Sequence, residues 1–78
     1  MKEHTIVATK VRTQTAGNMW KVLVKPDDTV AQRQVLFITE VMKMEVAHEA
    51  PAASVVSAVH VAEGAEGLDA DHVVVEII

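Results

Sequence analysis

Apolar and polar residues alternate with a period of two in several short runs, the pattern of strands that bury one face. Residues 6–12, Ile-Val-Ala-Thr-Lys-Val-Arg, predict a first strand closed by Ala16-Gly17-Asn18. Residues 20–24 predict a second, ended by Pro26-Asp27-Asp28, where proline fixes φ and the aspartates suit a turn. Val35-Leu36-Phe37-Ile38-Thr39 is a third, and its unbroken apolar run predicts burial on both faces. Residues 44–48 alternate again and stop before Pro51, and residues 55–61 and 72–77 supply two more strands around a Gly64/Gly67 segment. No window longer than about ten residues keeps apolar positions at i, i+3, i+4 and i+7, so no amphipathic helix is expected and the chain is read as all-β.

A shift of 37 residues lays the apolar pattern of one half over the other. Met19 falls on Val56, Val22 on Val59, Val24 on Val61, Leu36 on Val73, Phe37 on Val74 and Ile38 on Val75. Gly67 falls where Val30 predicts an apolar residue, so a local shift is expected to bring Leu68 into that pocket. Two strand-turn-strand units, each too small to bury its own apolar face, can bury them against each other. The expected product is a flattened sandwich with pseudo-twofold symmetry, and residues 40–45, Glu-Val-Met-Lys-Met-Glu, form the connection at one end.

That connection is chemically informative. A two-residue hairpin favours Asn-Gly or Asp-Gly, because both central residues need positive φ, yet Val41-Met42-Lys43-Met44 contains neither Gly nor Asn. Placing Met42 and Lys43 at the tip sacrifices turn preference and exposes thioethers, costs that point to a presented side chain. On pattern alone a second reading stays open, in which Met42 and Met44 fill the core of an alternating strand and Lys43 points to water.

Composition narrows the alternatives. Apolar residues make up 50% of the chain; fifteen are Val, while Trp20 and Phe37 are the only aromatics, a balance that favours strands over helices. At 78 residues there is room for one small domain, residues 1–78, of which 1–10 are expected to combine an N-terminal extension with the first strand. Seven Lys+Arg against eleven Asp+Glu, with no basic cluster, argue against nucleic acid as a partner. The absence of cysteine removes disulfides, thiolate zinc sites and a Cys nucleophile. No apolar segment follows Met1-Lys2-Glu3-His4-Thr5 and no run approaches bilayer length, so a soluble, cytoplasmic protein without a membrane partner is expected. His4, His48, His60 and His72 carry no ligand motif, and metal binding is not expected. Trp20 is read as a packing anchor or a partly exposed cap, and Gly17 and Gly64 as turn residues rather than phosphate cradles.

From about Val11 to Ile77 the chain resembles the biotinyl/lipoyl attachment domain family, in particular its small free-standing biotin carboxyl carrier proteins. The matching segments are residues 16–22 (Ala-Gly-Asn-Met-Trp-Lys-Val), the Asp28-Thr29-Val30 turn, Val41-Met42-Lys43-Met44-Glu45, Ala50-Pro51 and Glu63-Gly64. The resemblance implies a barrel-sandwich hybrid of two four-stranded sheets, with a modified lysine on the hairpin that joins the halves. It implies that Lys43 is the site of covalent biotin attachment, flanked by Met42 and Met44. Glu40 and Glu45 are candidates for recognition by a biotin protein ligase. Lipoyl carriers usually show an Asp-Lys-Ala type of sequence, so biotin is preferred and lipoate at the same lysine is the alternative.

An unmodified β-sandwich binding or structural module is the alternative outside carriers. The implied role is non-catalytic: a swinging arm on Lys43 that moves an activated carboxyl group between a biotin carboxylase and a carboxyltransferase. An exposed primary amine is protonated at neutral pH, so the ligase must supply the deprotonated nucleophile. There is no room between the second and third predicted strands for the protruding thumb of some carriers. The chain departs from the family at Asp27, Arg33, Ser54 and Asp71, where glycine is usual, and at Val41, where alanine is common. If positive φ is required at Arg33, its side chain makes that backbone costly.

Overall fold

The computed structural model describes residues 9–78, which form seven strands: β1 (Thr9–Arg12), β2 (Asn18–Val22), β3 (Thr29–Val30), β4 (Val35–Val41), β5 (Met44–Glu49), β6 (Ser54–Val59) and β7 (Val73–Ile77). All pairings are antiparallel, in one sheet ordered β1-β7-β6-β3 and a second ordered β2-β4-β5, with no helix among the described residues. The predicted strands reappear with ends moved by a few residues, although residues 6–8 of the first lie outside the described residues. The turn expected at Asp28-Thr29-Val30 is instead the short strand β3, paired with β6 through Thr29↔Val55 and Val30↔Ser54.

Between the sheets lie Met19, Val24, Val30, Leu36, Phe37, Val56, Val61, Val74, Val75 and Ile77. Each such side chain contributes on the order of 1.5–3 kcal/mol through the area it removes from water, which is how a chain without disulfides holds together. The adjacent Leu36 and Phe37 are both buried, but not because β4 is covered on both faces. The β4–β5 register slips between Val35 and Phe37, and this bulge turns two successive side chains inward while Ile38 stays half-buried.

The pseudo-twofold is written in the main-chain hydrogen bonds. Asp27 N–H donates to the Val56 carbonyl and Val56 N–H to that of Asp28, both at 2.8 Å. The same pair recurs 37 residues on, with Gly64 N–H donating to the Met19 carbonyl (2.9 Å) and Met19 N–H to that of Ala65 (2.7 Å). Beyond this point the correspondence changes to 38 residues. Val35, Leu36, Phe37 and Thr39 match Val73, Val74, Val75 and Ile77 in burial, so the expected pairing of Leu36 with Val73, and of the two residues after it, is corrected by one. Gly67, at φ +71 with open space around its α-carbon, absorbs the extra residue, and Leu68 packs against the core as anticipated.

Because of that insertion, the fourth place in the second sheet is held by a ribbon rather than a full strand. Residues 64–68 run along β2 and close with the bridge Gly17↔Leu68, whose two hydrogen bonds measure 3.0 and 2.8 Å. Two full four-stranded sheets were the expectation; the described residues make one of four strands and one of three plus this ribbon.

Three of the four non-glycine departures sit in left-handed backbone: Asp27 (φ 76), Arg33 (φ 72) and Asp71 (φ 64). Aspartate tolerates this conformation, and Asp71 is also held by its N–H on the Thr13 carbonyl at 2.9 Å. Arg33 is held in the same way by its N–H on the Ala50 carbonyl at 2.8 Å, but it lacks aspartate's tolerance, and its side chain is exposed and forms no hydrogen bond or ion pair with a described residue. Arg33→Gly is therefore expected to stabilise the fold by roughly 0.5–1 kcal/mol, the strain of about 1–2 kcal/mol being partly offset by glycine's greater freedom when unfolded. A higher urea midpoint at unchanged m-value would register the gain; a lower midpoint would contradict it.

Candidate functional site

Antiparallel β4 and β5 meet at a two-residue turn, with Val41↔Met44 as the last pair before it. Met42 and Lys43 occupy its centre at φ 51 and 66, the signature of a type I′ turn. L-residues pay roughly 1–2 kcal/mol each for that conformation, so the tip is held by the register of the two strands rather than by its own preference. The reading in which the methionines fill the core is excluded. Met42 is 91% and Met44 69% exposed, whereas Met19, at 1%, is the core methionine among the described residues.

Lys43 is exposed and forms no hydrogen bond or ion pair with another described residue, leaving its amine free at the apex. Glu40 and Glu45 face each other directly across the strands below it, and both are exposed. Like charges placed opposite cost a few tenths of a kcal/mol, and the chain spends this at the base of its tip. On the other side of β4, Asn18 is the partner of Glu40, and its side-chain oxygen accepts the Gly67 N–H at 2.9 Å.

The support under the hairpin was not foreseen. A β-carbon on Gly17 would lie 2.6 Å from the Glu40 carbonyl oxygen and 2.9 Å from Val41 Cγ2, so Gly17 is the floor on which the hairpin rests, not a turn residue. Gly64 does occupy a turn, at φ +85. The Glu63 carboxylate accepts the Val22 N–H at 3.0 Å and extends the stitching of the ribbon to β2. Thr13, buried at the far turn, donates from its hydroxyl to the Asp69 carbonyl (2.7 Å) and accepts the His72 N–H (2.9 Å). The repeat could have pointed to the ribbon, since residues 64–68 stand where 27–30 stand in the first half.

The histidines scatter. His60 Nε2 lies 2.6 Å from Glu76 on the outer side of the four-stranded sheet, His72 is exposed at the last turn, and His4 lies outside the described residues. Trp20 sits at the β2 bulge, 44% exposed, with the Lys21 ammonium 5.5 Å from its ring centroid, and is a cap rather than a core anchor.

His48 is the buried one among the described residues, stacked on Phe37 at 4.3 Å between centroids, and neither ring nitrogen has a hydrogen-bond partner there. Burial pushes its pKa below the ordinary histidine value, and the nearby Val46 main chain offsets this only in part. Since the unfolded imidazole takes up a proton near pH 6.5 and the folded one does not, stability is whole above that pH. It is lost as pH falls from there toward the folded pKa, by up to ~1.4 kcal/mol per unit. Urea unfolding between pH 5 and 7.5 should show this slope, and His48→Leu should flatten it; an equal slope in the variant would assign it to other groups.

The fold and its tip define a class: a small all-β domain whose one specialised feature is a lysine held out on a strained, rigid hairpin between two exposed thioethers. Residues 4–77 match the biotin/lipoyl family described as "Biotin-requiring enzyme". The chain is 43% identical over 54 residues to a biotin/lipoyl attachment protein of Bacillus subtilis, covering 69% of this chain and 74% of that one. It is 50% identical over 48 residues to a biotin carboxyl carrier protein of Streptococcus mutans, covering 62% of this chain but 37% of the relative. The chain thus spans little more than a third of that relative's length. Among solved structures it superposes with a TM-score of 0.84 on part of the Kluyveromyces lactis urea carboxylase, at 23% identity, covering 99% of this chain and 7% of that one. A single-chain, multi-domain long-chain acyl-CoA carboxylase gives the same TM-score of 0.84 at 22% identity, with 99% and 8% covered. The chain belongs to the biotinyl/lipoyl attachment domain family.

Proposed function

We propose that this chain is a biotin carboxyl carrier, with Lys43 as the residue that takes biotin in amide linkage. The observation that carries the reading is the exposed amine, unpaired with any described residue, at a two-residue tip whose backbone is strained at both central residues. The site fits such a group, because the amine emerges between Met42 and Met44 with no described partner to displace. When bound, biotin supplies a carrier atom for an activated carboxyl group.

The protein's own residues do the rest. The β4–β5 ladder fixes where the amine stands, Gly17 and the ribbon brace the hairpin, and Met42 and Met44 offer an apolar surface on either side. A rigid base with a long arm keeps the reactive end concentrated near the active sites it serves. Glu40 and Glu45 present a negative patch to a biotin protein ligase with basic groups around its own cleft. The partners in this reading are that ligase, a biotin carboxylase and a carboxyltransferase. The chemistry belongs to those enzymes, and the chain itself is a non-catalytic cytoplasmic subunit.

Co-expression with a biotin protein ligase, followed by intact-mass measurement, tests the reading. One biotinyl increment per chain is expected. A lipoyl increment in the presence of a lipoate ligase, with none from the biotin ligase, would transfer the site to the alternative cofactor. An unmodified chain under conditions that load a control carrier would favour a binding module that has no cofactor.

A further inference from the structure

Met42 and Met44 are the most exposed large apolar side chains among the described residues, at 91% and 69%, and they flank Lys43 directly. The chain has no cysteine, so no thiol competes for a two-electron oxidant and exposed thioethers become its first targets. Met19, at 1% exposure in the same domain, is shielded. We propose that Met42 and Met44 form an oxidation site for hydrogen peroxide that gates loading of Lys43, their sulfoxides blocking attachment until they are reduced. This rests on the reading of Lys43 as the biotin acceptor.

The step balances simply. A thioether sulfur lone pair attacks one peroxide oxygen, the O–O bond breaks, a sulfur–oxygen bond forms, and water leaves as the peroxide is reduced. The product is a polar, chiral side chain in place of a flexible apolar one. At an ordinary surface position that change is absorbed by water. Here it lies beside the one amine a modifying enzyme must enclose, and the enzyme would have to strip water from a strong dipole on each side of the lysine. The strands below the turn stay intact because the oxidised atoms lie outside the core.

The test uses the folded, unmodified chain treated with millimolar hydrogen peroxide, with the oxidant removed by catalase before any enzyme is added. Peptide mapping is expected to find Met42 and Met44 oxidised at least tenfold faster than Met19. The oxidised chain should accept biotin from a biotin protein ligase at least tenfold more slowly than the untreated chain, and methionine sulfoxide reductases of both stereospecificities should restore the rate. Equal ligation rates before and after oxidation would overturn the gate, as would oxidation of Met19 in step with the other two. If the untreated chain itself takes no biotin, the acceptor assignment fails, and the gate falls with it. That result is distinct from an untreated chain that loads normally and an oxidised one that does too.

Discussion

Replacing Lys43 with arginine is expected to abolish biotin attachment while leaving the fold as it is. Arginine keeps the positive charge and similar length, but its guanidinium stays protonated in proteins and offers no free electron pair for acylation. The side chain is exposed and unpaired with any described residue, so unfolding free energy should stay within about 0.5 kcal/mol of the parent. Intact mass after co-expression with a ligase then reads function alone. A biotinyl increment on Lys43→Arg would mean that Lys2, Lys10, Lys21 or Lys25 is the acceptor, and would sink the assignment. Exchanging the two central residues, Met42→Lys with Lys43→Met, asks more. If position in the turn matters, an amine moved by one residue should load on the order of 100-fold more slowly, as expected when a nucleophile is misplaced relative to its target. If exposure alone sufficed, the exchanged chain would load as well as the parent.

Much of this was legible in the sequence, because period-2 alternation and β-branched content are direct consequences of the pleat. The positive φ of both tip residues followed from counting two residues between Val41 and Met44. What the alternation could not show is where a bulge falls. Leu36-Phe37 looked like a strand buried on both faces, and Val73 looked like the mate of Leu36, because a one-residue slip reverses inside and outside without changing composition. Gly67 carried the clue, standing where an apolar residue was due, but only the burial of Val73, Val74, Val75 and Ile77 shows that the slip persists through β7. His48 was only half legible: alternation puts it on the same face as Val46, but does not show that it stacks on Phe37 with neither nitrogen paired to a described residue. Its counterpart at the 37-residue offset is Val11, an apolar residue that marks the same inward position in the other half.

The least legible residue is the one with the largest expected effect on stability. Gly17→Ala should destabilise the domain by about 2–3 kcal/mol, and lower its melting temperature by on the order of 10–20 °C for a domain of this size. The cause is not backbone freedom, since Gly17 is not among the glycines with positive φ. The added methyl would sit 2.6 Å from the Glu40 carbonyl oxygen, and that atom belongs to the β4 backbone and cannot swing aside. Gly17 cannot retreat either, because both its N–H and its carbonyl are bonded to Leu68. Relief must come from pushing β4 away from the ribbon or from breaking the bridge, and either loosens the base of the hairpin that holds Lys43. Gly64→Ala is the matched comparison: it introduces strain at φ +85 but no contact within 4 Å, and should cost no more than about 1–2 kcal/mol. Thermal and urea unfolding of the two variants should rank Gly17→Ala as the more damaging. If Gly64→Ala proved worse, local backbone strain would outweigh the close approach beneath the hairpin, and Gly17 would be reduced to an ordinary strand residue.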